Sequence, residues 1–150
     1  AALEDAAERG SLDGARVLDV GCGSGILAIA AARLGAAVIL GVDTDPIAVE
    51  ATVANVRRNR LVRRIRARLG SLPSGEPAHD VVLANLIGSI LITLAVPLAA
   101  ELRPGGLLLA SGIFGDREAE VAAAFRGAGL TVEARMAEGD WVALTVQRPI

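Results

Sequence analysis

The sequence predicts an α/β domain with a mostly parallel sheet, helices on both faces and a C-terminal antiparallel hairpin. Apolar runs of strand length alternate with segments of helical periodicity, which is typical of repeated strand–helix units. The first run leads into glycines at 21, 23 and 25, and the chain closes on two strand-like runs around Glu138-Gly139-Asp140. With no linker or internal repeat, residues 1–150 form one domain.

Taken in order, the pattern predicts five strand–helix units followed by the hairpin. Aspartate at an N-cap and proline at the first helical position begin the helix at Asp45-Pro46. Ser89 and Asp116 are predicted to cap later helices, and Pro97 to kink or split the first of these two. The predicted helices cover 1–8, 26–34, 46–59, 89–103 and 116–128, and the predicted strands cover 17–20, 37–43, 65–69, 81–84, 107–111, 130–136 and 141–147.

The turn after the first strand has the form of a ligand-binding loop. A buried strand, a glycine turn and a helix N-terminus together place backbone amides against a nucleotide-like cofactor. The dinucleotide fingerprint requires a third glycine at position 26, where this chain has isoleucine. Cys22 within the turn is interpreted as a small residue that fits there, in preference to a nucleophile.

Two polar residues close apolar strands at the edge where ligands bind in such sheets. Asp43 lies 22 residues after Gly21 at the end of the second strand, where an acid accepts hydrogen bonds from ribose hydroxyls. A capping role for Asp43 is disfavoured because Asp45 already fills it. Asn85 ends the fourth strand and is therefore a further site candidate.

Composition excludes several other classes of site. The single cysteine and single histidine exclude an internal disulfide and a metal site built on paired histidines, and His79 is expected on the surface. The uncharged stretch 81–100 is interpreted as a buried strand and a core helix, so no membrane contact is expected. No targeting signal is visible, which favours a cytoplasmic protein.

Seven arginines crowd the end of the third helix and the third strand. A structural interpretation is favoured over direct nucleic-acid contact, because arginines complement a helix C-terminus and charges protect an edge strand. Phe114, Phe125 and Trp141 are interpreted as core or pocket wall, with no aromatic platform for stacked bases. The arginines are Arg57, Arg58, Arg60, Arg63, Arg64, Arg66 and Arg68.

Four stretches together resemble a known family. The turn from Asp19 to Leu27 resembles motif I of the class I, Rossmann-like S-adenosylmethionine-dependent methyltransferases. Together with 41–46, 84–87 and 138–142, it is similar to the catalytic domain of the PrmA family, which methylates large-subunit ribosomal protein eleven. The resemblance covers essentially the whole chain and implies a seven-stranded sheet of order 3-2-1-4-5-7-6.

The resemblance also implies roles for individual residues. The motif I turn would hold the methionine moiety, the second strand's end the ribose, and the loop after the third strand the adenine. Asn85 would lie between the sulfonium methyl and the incoming amine, as catalytic residue. No metal is implied, and the product would be S-adenosyl-L-homocysteine. The implied cofactor-binding residues are Asp19, Gly21, Cys22, Gly23, Gly25, Asp43, Thr44, Ser71, Leu72 and Asn85.

The implied activity is N-methylation of a lysine or α-amino nitrogen of a ribosomal protein. The family's Phe-Gly-Thr-Gly-x-His-x-Thr-Thr lid segment and its N-terminal substrate-recognition domain are not in this sequence, so weak activity of the chain alone is expected. One alternative is therefore a truncated or non-catalytic cofactor-binding module, and another is a methyltransferase of a different protein or of a small-molecule amine. A nicotinamide dehydrogenase is disfavoured by Ile26 and the final hairpin. The number of methyl groups added and the oligomeric state stay open.

Overall fold

The computed structural model describes residues 2–150, so Ala1, where the predicted first helix begins, lies outside the described residues. The elements follow the predicted alternation closely, with a short 3₁₀ turn at Gly115–Arg117 before the last helix. The helices are α1 (Ala2–Glu8), α2 (Ile26–Arg33), α3 (Pro46–Arg58), α4 (Gly88–Glu101) and α5 (Glu118–Gly127). The strands are β1 (Arg16–Val20), β2 (Val38–Asp43), β3 (Ile65–Leu69), β4 (His79–Asn85), β5 (Leu102–Phe114), β6 (Thr131–Glu138) and β7 (Trp141–Gln147).

The strands form one sheet of order β3-β2-β1-β4-β5-β7-β6. Strands β1 to β5 run parallel, and β7 is antiparallel to both β5 and β6. In the centre, Leu18 of β1 aligns with Leu40 of β2 and with Val82 of β4. The predicted fold class and strand order are therefore confirmed, and the arginine-bearing β3 is an edge strand, as expected.

The core has two layers because successive side chains of each strand point to opposite faces of the sheet. Leu18 packs on the face covered by α4 and α5, where Phe125 is fully buried. Val17, next along the chain, packs on the face covered by α1, α2 and α3. Full burial of a side chain the size of Phe125 contributes about 1.5–3 kcal/mol to folding.

Three local predictions about helix ends and a proline are wrong. The residue that precedes α4 is Ile87, so Ser89 lies inside the helix and does not cap it. Asp116 lies in the 3₁₀ turn, and α5 begins without a side-chain cap. Pro97 lies within an α4 that is continuous from Gly88 to Glu101, so the predicted split is wrong, whereas the predicted kink stays a prediction.

His79 is the largest correction to the sequence interpretation of a single residue. Its side chain is 1% exposed, and its Nδ1 lies 3.3 Å from the backbone oxygen of Glu101. Burial lowers the pKa of the imidazole, which favours the neutral ring. β4 begins at this residue and pairs with Leu102 of β5, so both strands start earlier than predicted.

None of the helices described over residues 2–150 has both the length and the apolar character needed to cross a bilayer. The uncharged stretch 81–100 instead forms most of β4 and α4, as predicted.

Candidate functional site

The glycine turn between β1 and α2 is held against β2 by backbone hydrogen bonds. The amides of Gly21 and Cys22 both donate to the carbonyl oxygen of Val42, at 2.8 and 3.0 Å. The Thr52 hydroxyl donates to the Gly23 oxygen at 2.8 Å, and the Asn55 side-chain amide donates to the Ser24 oxygen at 2.8 Å. The turn is therefore fixed from α3 as well as from the sheet.

Close packing explains why the last glycine of the turn is needed. Gly25 has φ +84°, a backbone conformation that side chains rarely adopt. A Cβ added there would lie 2.9 Å from Cγ2 and 3.3 Å from Cα of Thr52. Glycine at this position therefore lets α3 approach the start of α2, because there is no room for a side chain between the two helices.

Asp43 is positioned at the tip of β2 by two backbone donors. Its Oδ2 accepts from the amide of Gly23 at 3.0 Å, and its Oδ1 accepts from the amide of Asp45 at 2.9 Å. A carboxylate has about four acceptor sites, so each oxygen keeps capacity for a further donor. The side chain is half-buried and held in one orientation beside the glycine turn. Asp45 caps α3 through the amide of Ile47, as predicted.

A cleft of about 420 Å³ opens at the carboxyl ends of β1, β2 and β3, beside the first turns of α4. This volume is within the range of pockets that bind small molecules and cofactors. One wall is polar and comes from the glycine turn, β2 and the loop after β3, whereas α4 supplies an apolar wall. The lining residues are Val20, Gly21, Asp43, Thr44, Gly70, Ser71, Leu86, Ile90, Thr93 and Leu94.

The structure brings four of the predicted site residues together in this cleft: Gly21, Asp43, Thr44 and Ser71. Leu72 packs partly buried against the core, and Cys22 is buried behind the turn, where burial raises the pKa of its thiol. Gly23 contributes its amide to Asp43, and Gly25 supports the turn. Ligand contact by the predicted residues stays a prediction.

Sequence reasoning missed the wall formed by Leu86, Ile90, Thr93 and Leu94. A signal was available, because the helix that follows β4 starts at the same sheet edge as the glycine turn. The sequence predicts the apolar residues of this helix in the core, whereas Ile90 is 41% exposed and faces this edge. The Leu86 side chain packs directly against Gly21.

Asn85 is exposed at the tip of β4, next to Leu86 but outside the cleft lining. Its Oδ1 lies close to Gly112, where an added Cβ would come within 2.7 Å of it. Among residues 2–150 the Asn85 carboxamide has no hydrogen-bond partner. Its carbonyl oxygen and amino group are therefore available to a ligand bound at this edge.

Asp19 is buried in β1 beneath the glycine turn, with 1% exposure. It accepts a hydrogen bond from the amide of Ala28 near the start of α2, whereas its Oδ2 has no partner among the described residues. Burial raises the pKa of Asp19 to about 7. The hydrogen bond from Ala28 acts in the opposite direction, and the charge of Asp43 adds a smaller increase. The Oδ2 oxygen of Asp19 is buried beneath the turn and does not line the cleft.

The raised pKa of Asp19 predicts a distinct pH dependence of stability. The folded state holds the proton more tightly than the unfolded state does, so this contribution to stability is full below pH 4 and is lost as pH rises through 7. Asp19→Asn removes the titration and keeps an acceptor for Ala28. Between pH 6 and pH 8 the original chain should lose about 1.4 kcal/mol of its free energy of unfolding through this group, and the variant should not. The difference between the variant and the original chain therefore rises by about 1.4 kcal/mol in favour of the variant. Urea denaturation at both pH values measures it, and an unchanged difference would contradict the assignment.

Among the residues that the structure describes, no three His, Cys, Asp or Glu side chains gather in a way that could hold a metal ion.

The sequence of the chain matches a known protein family over nearly its whole length. The family model described as ribosomal protein L11 methyltransferase (PrmA) matches residues 2–149. A ribosomal protein L11 methyltransferase of Herpetosiphon aurantiacus is 43% identical, and the alignment covers 89% of this chain and 48% of that protein. The chain thus spans about half the length of the curated relatives that it matches.

Solved structures agree with this comparison. The crystal structure of ribosomal protein L11 methylase from Lactobacillus delbrueckii subsp. bulgaricus superimposes with a TM-score of 0.90 at 29% identity, covering 99% of this chain and 77% of that one. An RNA methyltransferase from Salinibacter ruber, solved with S-adenosyl-L-homocysteine, has a TM-score of 0.78 at 19% identity, covering 99% of this chain and 90% of that one. The second comparison shows a shared fold alone.

Proposed function

This chain belongs to the ribosomal protein L11 methyltransferase (PrmA) family, and on that premise we propose that it binds S-adenosyl-L-methionine in the cleft beside Asp43. We further propose that the protein transfers the methyl group to an amino nitrogen of ribosomal protein L11. The observation that carries the proposal is the Asp43 carboxylate, fixed beside the glycine turn with acceptor capacity directed at a pocket of cofactor size.

The residues present fit each part of this cofactor. The two oxygens of Asp43 are suited to the paired hydroxyls of a ribose, which donate to a carboxylate. Ser71 and the α4 side chains Ile90 and Leu94 form a partly apolar wall that suits a flat adenine ring. The glycine turn, which contributes Gly21 to the cleft lining, suits the methionine end, and the buried carboxyl group of Asp19 lies beneath that turn.

When bound, S-adenosyl-L-methionine supplies a methyl group on a positively charged sulfur, which is already a reactive electrophile. The residues of the chain then have to position an amine in line with it, and such positioning is worth up to about 7–11 kcal/mol. The free Asn85 Oδ1 accepts an N–H of the amine and thereby orients its lone pair. Asn85 directly precedes Leu86, which lines the cleft, so the proposed position of the amine is next to the proposed cofactor site.

The amine must be neutral before it can react. Loss of the proton to water at pH 7 costs about 1 kcal/mol for an α-amine and about 4–5 kcal/mol for a lysine. An apolar surrounding lowers this cost because it disfavours the charged form. Phe114 and Trp141 supply such a surface at the same sheet edge: their ring centroids are 4.3 Å apart, and both are half-exposed. Phe114 lies three residues beyond Ser111, the register partner of Asn85.

The Asn85→Ala variant tests the proposal in a two-part experiment. Calorimetric titration with S-adenosyl-L-homocysteine measures cofactor affinity, and transfer of a radiolabelled methyl group to purified ribosomal protein L11 measures turnover. We expect the variant to lose turnover by about 10-fold, equivalent to one neutral hydrogen bond of about 1.4 kcal/mol in the transition state. We expect its affinity for S-adenosyl-L-homocysteine to change by less than about 3-fold.

The other outcomes of this experiment each have a definite meaning. Equal losses of turnover and affinity would refute the role of Asn85. Failure of the original chain to bind S-adenosyl-L-homocysteine, or tighter binding of NADH in a parallel titration, would refute the cofactor assignment. Cofactor binding without transfer to ribosomal protein L11 would reject the transfer step for this chain and favour a cofactor-binding module.

A further inference from the structure

The proposed function leaves one strongly charged surface without a role. Segment 57–68 carries seven arginines and no acidic residue. The formal charge of the whole chain is −2, so the remaining residues carry a net charge of −9. Such an uneven distribution creates a local positive potential on an otherwise negative molecule.

Three of the seven arginines have partners outside the α3–β3 segment that carries them. Arg64 donates to the backbone oxygens of Ala32 and Ala36 and so satisfies carbonyls at the end of α2. Arg66 and Arg68 both lie within ion-pair distance of Glu76, at 3.1 and 3.4 Å. The structural interpretation favoured from the sequence therefore accounts for these three side chains.

The other four arginines, Arg57, Arg58, Arg60 and Arg63, form what we call the arginine patch. All four are exposed, and within residues 2–150 none of them has a carboxylate within 4.0 Å. The hydrogen bond of the Arg58 guanidinium to the Asn55 Oδ1, at 3.1 Å, is the one bond formed by a patch side chain in this part of the chain.

Three of the four patch arginines line a depression that has no acidic group in its lining. The depression has a volume of about 470 Å³ and is lined by Arg57, Arg60, Leu61, Val62, Arg63 and Arg64. Arg60 has φ +59°, in the left-handed region, where a residue other than glycine costs about 1–2 kcal/mol. Its side chain makes no hydrogen bond or ion pair with the rest of residues 2–150 that offsets this cost.

We infer that the arginine patch binds the phosphate backbone of a double-helical nucleic acid. Guanidinium groups match phosphate oxygens with paired hydrogen bonds, and several adjacent groups match a repeating anion better than a single one. The patch has no aromatic residue for stacking unpaired bases, which favours a duplex over a single strand. Contacts that are confined to phosphate groups do not distinguish one nucleotide sequence from another, so we expect binding without sequence preference.

A protein partner fits the patch less well. Protein interfaces have an apolar centre, whereas Val62 is the one large apolar side chain that is exposed within segment 57–68. The net charge of −9 on the residues outside segment 57–68 also disfavours the approach of a polyanion to the rest of the molecule as a whole. This repulsion would orient the chain, with the arginine patch toward the nucleic acid.

The patch and the cofactor cleft lie at opposite edges of the sheet. The α3–β3 loop that carries Arg60 and Arg63 precedes a parallel strand, so it lies at the amino edge, whereas the cleft is at the carboxyl edge. Nucleic-acid binding at the patch therefore leaves the cleft open. The two activities can be measured separately.

Fluorescence anisotropy with a labelled RNA duplex of roughly 20 base pairs tests this inference, with the matching DNA duplex as a second probe. The double variant Arg60→Gln/Arg63→Gln is compared with Arg9→Gln/Arg126→Gln, which removes the same charge from exposed positions elsewhere. At about 100 mM salt we expect the patch variant to bind about 10-fold more weakly and the control variant to stay within 2-fold. The dependence of log affinity on log salt is expected to fall by nearly 2, since each lost phosphate contact removes about 0.9.

Binding of both duplexes, or of RNA alone, supports the inference and identifies the source of the phosphates. No binding of the original chain, equal loss in the two variants, or equally tight binding of polyglutamate would overturn it. The affinity of the patch variant for S-adenosyl-L-homocysteine should not change. Failure of the cofactor titration alone would leave the duplex result intact, so the two proposals fail separately.

Discussion

Replacing Gly25 by alanine is expected to lower the free energy of unfolding by about 2–5 kcal/mol and to abolish cofactor binding. The left-handed backbone at φ +84° costs an alanine about 1–2 kcal/mol. The new Cβ also meets both Cγ2 and Cα of the fully buried Thr52, and such overpacking adds about 1–3 kcal/mol. Relief of the contact moves α3 or the turn and weakens the bond from Thr52 to Gly23.

Gly14→Ala is the matched control for this variant. Gly14 has φ +66°, but no atom lies within 4 Å of its added Cβ, so the control carries the backbone cost without the clash. Urea denaturation of the three proteins separates the two contributions, and titration with S-adenosyl-L-homocysteine follows the site. Equal destabilisation by the two substitutions would show that packing against Thr52 does not hold the turn.

Asp43→Asn is expected to weaken binding of S-adenosyl-L-homocysteine by about 100-fold. The change removes the charge that strengthens the two proposed hydroxyl contacts, and hydrogen bonds to a charged group contribute about 1.5–3 kcal/mol each. The new amide also turns a donor toward one of the backbone amides of Gly23 and Asp45, which now donate to the carboxylate. Calorimetry measures the affinity, and thermal unfolding measures the accompanying loss of stability.

Two comparisons separate a ribose contact from a structural effect. Asp45→Asn keeps a good N-cap for α3 and removes a charge two residues away, so we expect affinity within about 3-fold of the original. Adenosine and 2′-deoxyadenosine should differ in affinity for the original chain and much less for Asp43→Asn. If the original chain and Asp43→Asn showed the same ratio of affinities for adenosine and 2′-deoxyadenosine, Asp43 would not contact the sugar.

Much of the fold follows from local patterns of the chain. The glycine spacing after Val20, the acid that ends the second apolar run and the Asp45-Pro46 helix start each depend on neighbouring residues. Backbone and capping preferences act over a few residues, so such features are visible in the sequence. The same applies to the hairpin, whose two strands join through Gly139 at φ +60°.

Errors arose where distant residues decide the outcome. A lone imidazole beside Asp80 has no apolar pattern of its own, so the sequence predicts His79 at the surface, yet the ring is buried next to the Glu101 backbone. The capping predictions for Ser89 and Asp116 considered their neighbours alone, whereas packing of α4 and α5 on the sheet sets where those helices begin.

The candidate site shows the same division. Asp43 and the glycine turn were identified from strand ends and spacing, because parallel strands bring their carboxyl ends to one edge. Only the tertiary structure revealed the apolar wall from Leu86 to Leu94, the orphaned Oδ2 of Asp19 and the patch arginines that have no carboxylate partner among residues 2–150. Burial and ion pairing depend on which side chains come into contact in the folded structure, and the separation of two residues along the chain does not determine whether they are in contact. Periodicity therefore sets the elements and their order, whereas tertiary packing decides which charges stay free to bind.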